Sequence, residues 1–280
     1  MGTIMKNDEW ITGNVTLAIK GVPVEMEMTV PATPIKPHRM LPIFQKMTNS
    51  FVDMSVQAMN EIGEEISCKA GCGACCSQAV PIAEVEVYQI AELVENMPEP
   101  RRTEIKKRFA DAVGHFESIG WFERIRKVAN QKMPDNPEYV PTELIDAAME
   151  YFNQGIPCPF LENGSCSIHE NRPLSCREYL VTSPAEFCSK PTAENIKKVP
   201  LLVRPSKSLP QVGITGNFSG LGVLPLIRAL DLAEKIPEQF PEKSGDKWMA
   251  DFFAHLIKHE IPQANEKPAK KKKRKPRQKK

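Results

Sequence analysis

No stretch of this 280-residue chain is long and apolar enough to span a bilayer; the most apolar, around residues 221–230, is short and interrupted. The opening residues Met1-Gly-Thr-Ile-Met-Lys-Asn-Asp-Glu-Trp10 lack the apolar run behind a basic start that marks a secretory signal. Lys6 stands where a myristoylation site wants Ser or Thr. No Ser/His/Asp order points to a hydrolytic triad, and no dinucleotide fingerprint is present. Gly213, Gly216, Gly220 and Gly222 lead into Val223-Leu224, not the Lys and Ser/Thr of a phosphate loop. His255 and His259 are one helical turn apart, but Leu256 occupies the position where a zinc protease carries glutamate. There is no internal repeat. A cytoplasmic chain with no membrane span is the expectation, and in a reducing compartment its cysteines are metal or redox ligands before they are disulfides.

What the chain has in excess is proline, 25 residues against a usual share of ~5%. So many prolines imply short elements joined by rigid turns. The formal net charge of +2 hides a division: the residues from Lys267 onward carry ten Lys/Arg and no acid, leaving 27 bases against 35 acids in the rest. The body is acidic and only the tail basic. A block of like charge without aromatic residues reads as a disordered tail with weak polyanion contact.

Hydrophobic patterning predicts a mainly α (α+β) fold. Residues 10–30 show partial period-two alternation (Val15, Leu17, Ile19; Val24, Met26, Met28) around Lys20-Gly21, a small N-terminal β-hairpin. Residues 48–67 read as a helix running directly into Cys68. Pro81 opens another helix with Val87, Ile90, Val94 and Met97 on one face. Thr103 and Thr142 read as caps of two further helices, with Ile105, Phe109, Ala112 and Phe116, then Leu144, Ala148 and Tyr151 or Phe152, facing inward. A strand at 199–203 and helices at 224–236 and 246–259 follow. The expected organisation is a β element and Pro-rich connector over 1–45, a cysteine-cluster domain over 46–190, a helical region over 191–262 and the basic tail over 263–280.

All eight cysteines fall in two stretches. The first reads Cys68-Lys-Ala-Gly-Cys72-Gly-Ala-Cys75-Cys76, four thiols in nine residues with mostly small spacers. Its glycines can take positive φ, which lets a short loop turn several Cβ vectors to one side. The second supplies Cys158, between Pro157 and Pro159, then Cys166 just past the tight-turn signal Asn163-Gly164, and Cys176 and Cys188. Soft thiolates in this number suit zinc or iron, including a [4Fe–4S] cluster held by four cysteines. Adjacent Cys75 and Cys76 cannot easily serve one ion, so one of them can bridge to a second site. Cys68, Cys72, Cys75, Cys76, Cys158, Cys166 and Cys176 are the candidate ligands, and Cys188 reads as a buried core thiol. Arg172 and Arg177 flank Cys176 and are candidates to offset thiolate charge or hold an anionic ligand, unless they pair with Glu170 or Glu178. His169 is a further candidate ligand.

Cys68-x3-Cys72-x2-Cys75-Cys76, Cys158-Pro-Phe-Leu161, Cys166-Ser-Ile168, Arg172-Pro173 and Cys176-Arg177 together resemble the YkgJ-like cysteine-cluster family over roughly residues 65–180. That family is described as zinc- or iron-chelating, and flagellin lysine N-methylase is similar to it. Where the family usually carries Tyr, this chain has His169. The resemblance implies chelation by the cysteine cluster. Cys68-x3-Cys72-x2-Cys75 also matches the spacing with which radical S-adenosylmethionine enzymes hold a cluster, although their scaffold is a barrel of alternating strands and helices. Two function classes follow: a metal or iron–sulfur protein with a structural, sensing or carrier role, and a cluster-dependent S-adenosylmethionine enzyme such as a protein lysine N-methylase.

Overall fold

The computed structural model of the protein describes residues 5–6, 9–19, 21–131, 139–192, 194–217 and 222–256. The basic tail and His259 lie outside them. The chain opens with strands β1 (Met5–Lys6), β2 (Trp10–Ile19) and β3 (Val22–Pro31), one antiparallel sheet in that order. The expected hairpin pairs without a slip from Trp10↔Pro31 to Ile19↔Val22. Its inner face buries Leu17, Ile19 and Val30.

Helix α1 spans Leu41–Glu61, earlier at both ends than the pattern suggested. Pro42 does not delay it, because a first-turn residue needs no N–H partner within the helix. Gly63, at φ +79°, stops it short of Cys68 and leaves an extended lead into the cysteine loop.

A short strand β4 (Pro81–Ala83) precedes α2 (Glu84–Glu95), then α3 (Arg101–Ser118), α4 (Trp121–Ala129) and α5 (Thr142–Asn153). The inward faces expected for α2 and α3 are buried. Thr103 lies inside α3 instead of capping it. The Glu99 carboxylate does the capping, accepting from Thr103 N at 3.2 Å and Oγ1 at 2.8 Å. Thr142 is likewise the first helical residue, with Pro141 before it. On α5, Ala147 and not Ala148 faces inward, because Tyr151 stacks on Phe116 (4.0 Å between centroids) and Trp121 Nε1 donates to Ala147 O at 2.8 Å.

The remaining elements are short: the hairpin β5 (Leu161–Glu162) and β6 (Ser165–Cys166), α6 (Leu174–Glu178), α7 (Pro205–Ser208), β7 (Val223–Pro225), α8 (Ala229–Lys235) and α9 (Gly245–Leu256). Residues 199–203 form no strand. Val199 N donates to Leu180 O at 2.9 Å, and Pro200, which has no N–H, ends the ladder there. β4 pairs with β7 across more than a hundred residues, Ile82 opposite Leu224.

The protein is thus mostly helical with an N-terminal β-hairpin. One core joins the sheet, α1 and α9, where Phe44 stacks on Phe252 at 4.6 Å. A second lies between α2, α3 and α8 and takes in Phe160, Ile168 and the flanks of Cys158 and Cys166. The cysteine segments are fixed to these cores. Among the described residues no helix is long and apolar enough to cross a membrane.

Candidate metal centre

The first cysteine loop is a run of overlapping turns. Cys72 N donates to Lys69 O, Cys76 N to Gly73 O and Gln78 N to Cys75 O, at 3.1, 2.9 and 3.2 Å. Gly71 takes φ +83°, as its position between the cysteines suggested. Gly73 serves differently. A Cβ there would stand 2.5 Å from Gly164 O and 2.5 Å from Leu161 Cδ1, so a bare backbone is what lets this loop lie on the β5–β6 turn. That turn is the expected one, with Asn163 at φ 49° and Gly164 at φ 76°. The two cysteine stretches then join directly: Cys158 N donates to Cys76 O at 2.6 Å.

Helix α3 holds the hairpin from behind. Arg101 donates to Ser167 O at 3.3 Å and Arg108 to Pro159 O at 3.2 Å, while both pair with Glu162 at 3.4 and 3.6 Å. A buried carboxylate positions the Cys176 segment. Glu86 on α2 accepts from Ala83 N and, across 88 residues, from Leu174 N at the start of α6, both at 2.8 Å. Ser175 Oγ donates to Pro81 O at 2.7 Å. On the other side of α6, Glu178 accepts from Ser206 N at 2.7 Å and Ser206 Oγ at 2.5 Å.

The result is one cavity of about 170 Å³ lined by all eight cysteines, together with Lys69, His169 and Arg172. Cys188, read from sequence as a core thiol, is buried and also lines this cavity. Its neighbours Phe187 and Ser189 carry no cluster-loop pattern. Tyr179, three residues after Cys176, hydrogen-bonds with the Cys188 sulfur and is the nearest thing to a signal.

Arg172 and Arg177 part company. Arg172 lines the cavity, with one guanidinium nitrogen on His169 Nε2, and its Nε is buried with no partner among the described residues. Arg177 is buried and committed elsewhere: Nε donates to Arg172 O at 3.0 Å, Nη1 to Asn49 Oδ1 of α1 at 3.0 Å and Nη2 to Glu170 O. Neither pairs with the Glu178 carboxylate, and Arg177 meets Glu170 through its backbone oxygen. An Arg177→Met variant leaves three acceptors without a donor. It is expected to lose about 2–4 kcal/mol of stability in urea unfolding, with the loop over 169–172 loosened first.

Six of the thiols are pushed above their ordinary range. Burial pushes Cys176 well above its ordinary value, Cys158 to about 12 and Cys188 to about 11, and raises Cys68 and Cys166. Cys75 is raised by its hydrogen bond with Cys76 and then by burial. Charge on Arg172 acts the other way on Cys68, Cys75 and Cys166. A soft cation supplies what these sulfurs lack, a positive charge that offsets the cost of ionising them in a buried place. The donor set therefore fits zinc or iron, and the unmatched Arg172 Nε suits the excess negative charge of a polythiolate site. The sulfurs ring the cavity rather than close on one point: among the described residues no three His, Cys, Asp or Glu side chains are drawn together tightly enough to hold an ion.

These features define a class, a cysteine-ringed domain mounted on helices. Residues 67–196 match the family model CxxCxxCC, described as a putative zinc- or iron-chelating domain. The match extends past the region recognised from the motifs and takes in Cys188, so all eight cysteines lie inside it. No curated protein and no solved structure matches the chain.

Proposed function

We propose that the protein binds zinc or iron, as ions or as an iron–sulfur cluster, through the cysteines of the central cavity, in a structural, sensing or carrier role. The observation that carries this reading is the convergence of all eight thiols, from stretches some eighty residues apart, on one cavity. Such a site ties the segments that follow α1 and α5 to α6 and the stretch after it, so metal binding contributes to folding. Cys68, Cys72, Cys75, Cys76, Cys158, Cys166 and Cys176 are the ligands of this reading, with Arg172 offsetting their charge. Arg177 supports the loop that carries Arg172.

Methyl transfer with S-adenosylmethionine is the weaker reading. The described residues form three small antiparallel sheets and not a strand–helix barrel, and the Cys68–Cys75 loop follows a helix.

Elemental analysis and an absorption spectrum of protein purified without oxygen test the proposal. Zinc, or iron with acid-labile sulfide and a brown chromophore, is the expected result. Protein that is folded, fully reduced and free of both metals after supply of zinc and iron overturns it. Retained S-adenosylmethionine on an iron-loaded sample would move the reading to the enzyme class.

A further inference from the structure

The fixed charges around the cavity have one sign. Lys69 and Arg172 line it, one from each cysteine stretch, and among the described residues no Asp or Glu does. Neither cation pairs with a carboxylate among those residues. Both are held at the backbone. Cys72 N donates to Lys69 O at 3.1 Å, while Arg177 Nε and Gln45 Nε2 donate to Arg172 O at 3.0 and 3.4 Å. The Arg172 guanidinium is held as well. It carries only N–H donors, so its bond to His169 Nε2 uses the ring's lone pair. The ring proton then stands on Nδ1, 3.5 Å from the exposed Glu170 carboxylate. The other carboxylates of the frame have partners of their own: Glu162 faces Arg101 and Arg108, Glu86 the N–H groups of Ala83 and Leu174, and Glu178 Ser206.

This field is the wrong one for a bare dication. Sites that take hard cations from water offer oxygen ligands, above all carboxylates. Here a hydrated ion meets two positive charges on its way to the sulfurs. Outside the tail the chain is acidic, with 35 acids against 27 bases. At physiological salt, however, exposed charges more than ~8 Å away are largely screened, so the charges that line the cavity decide what enters. An anion meets the reverse situation.

Resting on the metal-binding reading above, we infer that Lys69 and Arg172 form a seat for a small polycarboxylate at the cavity, which reaches it free or as the ligand of an incoming metal. Carboxylate fits on two counts. Guanidinium and ammonium groups both pair with it, and two cations from different stretches call for more than one carboxyl group. Its hard oxygens are also poorer partners for zinc or iron than soft thiolates are, so a metal can pass from one to the other. In that exchange metal–oxygen bonds break and metal–sulfur bonds form. Each thiol that ligates gives its proton to the buffer, and the carboxylate leaves with its charge.

The test uses citrate, cobalt(II) citrate and hydrated cobalt(II) on the reduced, metal-free full chain. Calorimetric titration with citrate alone reads the seat, and stopped-flow absorbance of the cobalt–thiolate chromophore reads metal entry. Saturable citrate binding that weakens as salt rises is expected. Entry from cobalt citrate should slow with salt, while entry from hydrated cobalt should quicken. Lys69 is exposed, and Lys69→Glu is expected to abolish citrate binding, slow the citrate donor about 10-fold and speed the hydrated one. Lys127→Glu makes the same change of net charge on α4, outside the cavity lining, and should move neither rate. Citrate binding by calorimetry identifies the free acid as an occupant. A Lys69-dependent preference for the citrate donor without it identifies the metal complex. No Lys69-sensitive citrate binding, together with equal responses of the two donors to salt and to Lys69→Glu, overturns the seat and leaves metal binding intact. No cobalt uptake from either donor overturns metal binding instead, and the citrate titration still decides the seat.

Discussion

Glu86→Ala is expected to cost about 3–5 kcal/mol of unfolding free energy, because it leaves two buried N–H groups, those of Ala83 and Leu174, without an acceptor. Both residues are almost wholly inaccessible, so water does not replace the carboxylate. The loss reaches the metal centre as well. Leu174 opens the short helix that carries Cys176, and five residues cannot hold a helix by propensity alone. The variant should therefore melt earlier and lose metal retention in chelator competition. A variant as stable as the wild type would mean that the two N–H groups find another acceptor.

Glu86 also gives the protein a pH signature of definite sign. Burial raises its carboxyl from 4.5 to about 7, against the lowering effect of the two N–H donors. A raised acid binds its proton more tightly in the folded state. Its contribution is fully present below the unfolded value and fades as pH climbs through the folded one. Stability should thus fall between about pH 4.5 and 7, by at most ~3 kcal/mol from this group. Glu178, buried and raised to about 7, adds a fall of the same sign in the same window. In Glu86→Gln the slope should shrink, while the stability at low pH drops by ~1–3 kcal/mol, since the amide sets an N–H₂ against one of the two donors. Urea unfolding of metal-free protein at pH 5, 6 and 7, wild type against variant, reads both effects. An unchanged slope would mean that Glu86 is already ionised throughout that range.

The cysteines, the Asn163-Gly164 turn and the apolar faces of α2 and α3 were plain in the sequence because each is a local signal: a rare residue, a turn dipeptide, a 3.6-residue period. What was not plain depends on partners far away in the chain. Glu84, Glu86 and Glu178 look like surface charges, yet each caps or ties a segment 28 to 131 residues away. Arg177 and Arg172 look equivalent beside Cys176, but burial and three backbone or amide acceptors turn Arg177 into scaffold. Pro81 opens a helix in the pattern and in fact begins β4, whose partner β7 lies beyond the second cysteine stretch. Cys188 had no local pattern at all, and only the folding of residues 179–188 back along the first loop brings it to the cavity. Alternation, periodicity and spacing describe neighbours in sequence, whereas a site assembled by crossing segments is decided by contacts they do not encode.

Gly73→Ala is the substitution expected to damage the metal centre most for the smallest chemical change. Flexibility is not the reason glycine is needed here. Gly71 has φ +83° and open space around it, whereas Gly73 has the opposite situation, an occupied space. The Leu161 methyl could swing aside, but Gly164 O belongs to a tight turn whose flanks are paired, Glu162 with Ser165 and Leu161 with Cys166. Relieving the 2.5 Å approach to an ordinary C···O contact of ~3.3 Å moves the first cysteine loop roughly 1 Å from the hairpin. Thiolate–metal distances tolerate about ±0.2 Å, so ligands from the two loops no longer reach one ion together. The expected outcome is a stability loss of about 1–3 kcal/mol and a 10- to 100-fold weaker hold on zinc in chelator competition. Gly71→Ala is the paired control: it strains a left-handed residue at a cost of ~1 kcal/mol but leaves the loops in contact. If the two variants retain zinc equally well, the contact between the loops is incidental, and the centre is built within one cysteine stretch instead of between two.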